Sequence, residues 1–132
     1  MDKSTYIKNC LYKANEDISG ILKLSENDSD ISIYSSLICF HAQQAVEKFL
    51  KAFLIYNDKG ISKTHDLIYP MSECITINRD FITVDLKDLT EFSVDVRYPD
   101  DFYIPEYSET KYYISVAFDV KNKVESLIRL AD

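Results

Sequence analysis

Glycine is nearly absent from this chain: two residues in 132, with three prolines beside them. So few turn formers exclude a sandwich or barrel built on many tight turns, and favour long helices joined by few loops. Cysteine is scarce as well. Cys10, Cys39 and Cys74 are odd in number, widely spaced and without a CxxC pair. That excludes a disulfide framework and a zinc site, and fits buried thiols in a reducing compartment. No run approaches the ~20 apolar residues of a membrane span. The opening MDKSTYIKNC has no apolar signal-peptide core, so a cytoplasmic protein without membrane contact is expected.

Apolar residues make up 46% and charged residues 28%, an ordinary balance for a globular chain with one core. One domain over residues 1–132 is expected. The net charge of −7 argues against a protein that coats nucleic acid. The charge is uneven. Residues 80–109 carry nine acidic side chains against Lys87 and Arg97, whereas residues 41–65 carry Lys48, Lys51, Lys59 and Lys63 against Glu47 and Asp58. A phosphate-bearing ligand should meet the middle of the chain.

Apolar periodicity gives the elements. Tyr6, Ile7, Cys10, Leu11, Ala14, Ile18, Ile21 and Leu22 recur at helical spacing and predict a helix from Lys3 to Leu24. SENDSD (Ser25–Asp30) supplies a turn and then a cap for a long helix from about Asp30 to Tyr56, which NDKG ends with a C-terminal glycine signal. SKTHDLIYPMSECITI restarts a helix with Thr64 as N-cap and Asp66 at its positive end. Pro70 should kink that helix or cut it to one turn. A fourth helix is expected over Val84–Val94, a loop over Arg97–Glu109, and a last helix capped by Ser108 and reaching Leu130. The fold class expected is all-α, an up-and-down antiparallel bundle of four or five helices.

On the long helix His41, Gln44, Lys48 and Lys51 fall within an arc of roughly 80° at ~100° per residue, bordering the apolar face. His65, the other histidine, comes just past that helix. Together they form a candidate polar cleft for an anion, a histidine at a helix start being able to donate to phosphate. Each has a structural reading beside the functional one. Lys48 and Lys51 fit a solvated face with Glu47 paired to Lys51, His41 fits a core or dimer-interface histidine, and Thr64 and Asp66 fit capping. Arg97, among Asp95, Asp100 and Asp101, fits an internal ion pair or a reach to the cleft. Phe102, Tyr103 and Tyr107 fit the bundle end or base stacking. Cys39 and Cys74 read as small buried residues.

HAQQAVEKFLKAFL followed by THDL, and later by Arg97-Tyr98-Pro99, resembles the HEPN family (higher eukaryotes and prokaryotes nucleotide-binding domain). The resemblance covers nearly the whole chain. It implies a helical bundle that dimerises through the motif helix and is associated with nucleotide or RNA binding. It also implies a separately encoded minimal nucleotidyltransferase as partner, in a toxin–antitoxin-like pair. Pro70 departs from the leucines usual there.

The ribonuclease branch of that family uses R-x4–6-H, the arginine balancing phosphorane charge and the histidine handling protons. Ser36, Ser35 and Tyr34 precede His41 at the required spacings, and Gly60, Lys59 and Asp58 precede His65. The motif is absent. Lys59 lacks the planar fork that would replace the arginine, and an acidic chain recruits RNA weakly. His41, His65 and Asp66 lack further partners at metal-ligand spacing. The preferred reading is a homodimeric, non-catalytic module without metal or cofactor, binding a nucleotide or other phosphate ligand through Lys48, Lys51, His65, His41, Gln44 and Arg97. An RNA-cleaving toxin with an unconventional site around His65, or a pure interaction scaffold, are the alternatives.

Overall fold

The structure is a computed structural model that describes residues 1–61, 63, 65–93 and 103–130. Arg97, Thr64 and Phe102, singled out from the sequence, lie outside the described residues, as does the RYP triplet. Five α-helices make up most of the described chain: α1 (Lys3–Leu24), α2 (Asp28–Ile33), α3 (Ser35–Tyr56), α4 (Ile68–Ile77) and α5 (Tyr107–Leu127), with two short 3₁₀ helices over Arg79–Thr83 and Leu89–Phe92. Among the described residues there is no strand, and no helix is long and apolar enough to cross a membrane.

Helix α1 occupies the span its periodicity predicts. Asp2 starts it, its carboxylate accepting from the Thr5 amide at 2.7 Å, so one of the otherwise orphaned first-turn donors is satisfied. Its buried residues Ile7, Ala14, Ile18 and Ile21 face α3. α3 is the central element, and Ile38, Cys39, Ala42, Ala45, Val46, Phe49, Leu50 and Ala52 are fully buried along it. Each large apolar side chain removed from water contributes about 1.5–3 kcal/mol. The alanines let neighbouring helices come close.

Specific contacts give the directions. Lys3 reaches the Tyr56 ring and Asp58, while Asp17, later in α1, meets His41 near the start of α3. α1 and α3 are therefore antiparallel. The Cys39 thiol donates to Thr110 at 3.9 Å, and the Arg129 amide donates to the Tyr56 hydroxyl at 3.3 Å. α5 therefore runs in the direction of α3 and opposite to α1, as in a bundle whose chain goes up and down.

Five local expectations change. The long helix breaks at Tyr34 (φ −106°, ψ 22°), which separates α2 from α3; the break lets Ile31 bury while Ser35 starts α3 inside the core. At the end of α3 it is Asp58, not Gly60, that takes the left-handed conformation (φ 60°). The Asp58 amide donates to Ile55 O and the Lys59 amide to Leu54 O, a Schellman closure with an aspartate in the glycine place. α4 starts at Ile68, four residues after Thr64, with Asp66 accepting from the Ile68 amide at 3.1 Å. Pro70 thus sits in the first turn, where its missing N–H costs nothing, and the helix continues for seven more residues to Ile77.

The fourth change concerns Val84–Val94. Here the described backbone is irregular up to the 3₁₀ turn Leu89–Phe92. Two tyrosines of α5 hold it open: the Tyr112 hydroxyl donates to Asp85 O at 2.6 Å, and the Asp88 amide donates to the Tyr113 hydroxyl at 3.1 Å. Backbone groups taken by α5 are not free for a helix. At the far end, α5 begins after Glu106, one residue before Tyr107, so Ser108 lies within its first turn, and it stops at Leu127.

Candidate functional site

The polar residues of α3 form two small clusters on adjoining edges of the helix. In the first, the Asp17 carboxylate of α1 is divided between two partners of α3. Its Oδ1 lies 2.8 Å from His41 Nδ1, and its Oδ2 accepts from Lys48 Nζ at 2.7 Å. Asp17 stands on the buried face of α1 between Ala14 and Ile21 and is only 7% exposed. Burial alone would raise its carboxyl pKa. The hydrogen bonds from His41 and Lys48, and their charges, outweigh that and hold it below its ordinary value. The His41 ring also meets Phe40 edge to face and lies over Gly20.

The second cluster sits around the corner, since Glu47 precedes Lys48 by one residue and is turned from it by ~100°. His65 Nδ1 lies 2.8 Å from Glu47 Oε1. Gln43, fully buried, donates from Nε2 to the His65 carbonyl at 3.2 Å and to Glu47 at 3.3 Å. Its Oε1 accepts from Gln44 Nε2 at 2.6 Å. This pins the returning chain after α3 onto the middle of the helix. The carbonyl and the ring of His65 are both held, while the ring keeps 60% of its surface in water.

The structure therefore brings His41 and Lys48 together through Asp17, and places His65 with Gln43 and Glu47 on the neighbouring edge. Gln44 joins the second cluster through Gln43. Lys51 is half-buried one turn beyond Lys48 and has no ion-pair partner among the described residues. The expected Glu47–Lys51 pair is replaced by Glu47–His65. His65 precedes the first helical residue by three positions, so the positive end of α4 does not begin at it as the sequence reading supposed.

Sequence reasoning missed Asp17, Gln43 and Glu47 as organisers of the site. Asp17 had a visible signal: a lone acid at a core position of an amphipathic helix requires an opposite charge. Gln43 lay within the motif stretch but gave no sign that it would be buried.

Elsewhere, a groove of roughly 580 Å³ opens beside α5, with Asp88, Glu106 and Glu109 on its walls and Lys87 as the one cation lining it among the described residues. The Lys87 ammonium lies 3.9 Å from the centre of the Tyr112 ring. The described lining thus disfavours phosphate. Among the described residues no cluster of three His, Cys, Asp or Glu side chains is placed to hold a metal ion.

Comparison with known proteins gives one match. No curated protein and no solved structure matches the chain significantly. The HEPN domain pattern matches residues 7–129, which takes in α1 from Ile7 onward, both clusters on α3, and α5. On that match, the chain belongs to the HEPN domain family.

Proposed function

We propose that this chain is a single non-catalytic HEPN module over residues 1–132 that pairs with a second copy through α3 and binds a nucleotide or other phosphate ligand. It works with a separately encoded minimal nucleotidyltransferase in a toxin–antitoxin-like pair. The observation that carries the reading is the accessible strip of α3. His41, Gln44, Lys48 and Lys51 are all half-buried, follow one another at spacings of three and four, and are flanked by Leu37 and Ile55. A strip that is neither sealed nor fully solvated suits a contact surface, and its two lysines supply the positive charge. The R-x4–6-H pair needed for the family's RNA cleavage is missing from the sequence.

Two measurements test this. Light scattering after size exclusion should give a dimer that Leu37→Asp converts to monomer. Thermal shift with a panel of nucleotides should show stabilisation at millimolar ligand that Lys48→Met/Lys51→Met abolishes. A folded protein that stays monomeric and gains no stability from any nucleotide overturns the reading.

One observation favours a second reading, the RNA-cleaving enzyme. The Glu47–His65 pair orients an imidazole with its Nε2 directed away from its carboxylate partner, and the ring is open to solvent. That arrangement serves proton transfer. Incubation with single-stranded and structured RNA, beside His65→Ala, decides it. Cleavage lost with His65 supports the enzyme, and cleavage retained in the variant assigns the activity to another source.

A further inference from the structure

The carboxylate of Asp17 holds two of the side chains that the strip offers to a ligand, the His41 imidazole and the Lys48 ammonium. Its two oxygens are divided between an imidazole at 2.8 Å and an ammonium at 2.7 Å, the bracket that two oxygens of a phosphate would occupy. Asp17 itself is nearly buried, whereas the side chains of His41 and Lys48 each keep 27% of their surface exposed. An anion arriving from solvent therefore meets an ammonium and an imidazole already engaged from behind. Lys51, a turn further along, is the cation without such a partner among the described residues.

We infer that Asp17 is an internal competitor for the ligand, so that the strip selects polyphosphates over a single phosphate. This rests on the phosphate-binding reading above. An ammonium hydrogen-bonded to a carboxylate is drawn outward more strongly by an anion of greater charge. Side chains three residues apart on a helix lie about 5–6 Å apart at Cβ, so neighbouring phosphates of one chain can engage Lys48 and Lys51 together. Orthophosphate can use one of them. Removing the Asp17 charge should free Lys48 and raise polyphosphate affinity on the order of tenfold, the effect of one unit charge a few ångströms behind the contact.

Calorimetric titration of the full chain with inorganic tripolyphosphate and with orthophosphate tests this. Three proteins are compared: the natural chain, Asp17→Asn, and Glu16→Gln. The last makes the same change in net charge at an exposed site paired with Lys13. The expected result is tripolyphosphate bound more tightly than orthophosphate by the natural chain, a gain of at least fivefold in Asp17→Asn, and little change in Glu16→Gln. Asp17→Ser, which also removes the charge and keeps an acceptor, replaces the asparagine variant if that fails to fold. Equal binding by the natural chain and the Asp17 variant overturns the inference while leaving phosphate binding standing. No binding by either overturns both. An equal gain in Glu16→Gln also overturns it, because bulk charge then explains the effect.

Discussion

The pairing of Asp17 with Lys48 can be measured with a double-mutant cycle of Asp17→Asn, Lys48→Met and the two combined. At 2.7 Å the gross attraction is about 6 kcal/mol for an effective dielectric near 20. Desolvation of the carboxylate and immobilisation of the lysine offset much of it, and the 27% exposure of Lys48 lets water share the ammonium. A coupling of about 1–2 kcal/mol remains, the range for a charge-assisted hydrogen bond at a half-buried site. Urea unfolding followed by circular dichroism at pH 7 supplies the four stabilities, with unchanged m values as the check on two-state behaviour. The pH dependence has a definite sign. The Asp17 carboxyl lies below its ordinary value of 3.8, so its contribution is complete above that value and is lost as pH falls through the lower folded one. Coupling should be lost in acid as that carboxyl protonates, and a coupling under about 0.3 kcal/mol at pH 7 refutes the assignment.

Three further outcomes are expected. At the left-handed C-terminus of α3, Asp58→Val should lose about 1–2 kcal/mol in urea unfolding because a branched side chain tolerates positive φ poorly, whereas Asp58→Gly should match or exceed the parent. Loss of the exposed Lys3–Asp58 pair is common to both variants and worth little. Cys39 and Cys74 are fully buried, and burial pushes both thiols up to about 12. A thiol reagent at pH 8 should therefore modify only the partly exposed Cys10 in the folded protein, and all three cysteines after denaturation. Tyr113→Phe removes the acceptor of the Asp88 amide and should cost about 1 kcal/mol, with faster amide exchange at Asp88 by nuclear magnetic resonance.

The long amphipathic helices were legible because apolar spacing and burial coincide in them. α1 lies where its pattern placed it, and the end of α3 at Tyr56 agrees with the NDKG signal. The break at Tyr34 was not legible, because nothing in ISIYSS opposes a continuous helix. The region after Val84 reads as amphipathic, yet its backbone groups are claimed by Tyr112 and Tyr113 from more than twenty residues away. Local propensity carries no trace of such partners. In the candidate site, the lysines and histidines were found from the arc they share on α3. Their carboxylate partners were not, since Asp17 comes from another helix and Glu47 was assigned the neighbour that a helix surface offers. Each partner depends on the packing of separate segments, which spacing along one helix does not encode.

The three-way contact of Asp17, His41 and Lys48 has a consequence for how the chain can change over generations. Loss of the aspartate alone leaves the Lys48 ammonium and the His41 imidazole without their acceptor at the seam between α1 and α3, and loss of the lysine alone leaves an acid inside with half its support. The three positions should therefore be inherited as a block, replaced jointly by an uncharged set or retained together. Among related chains, an apolar residue at position 17 should accompany apolar residues at 41 and 48.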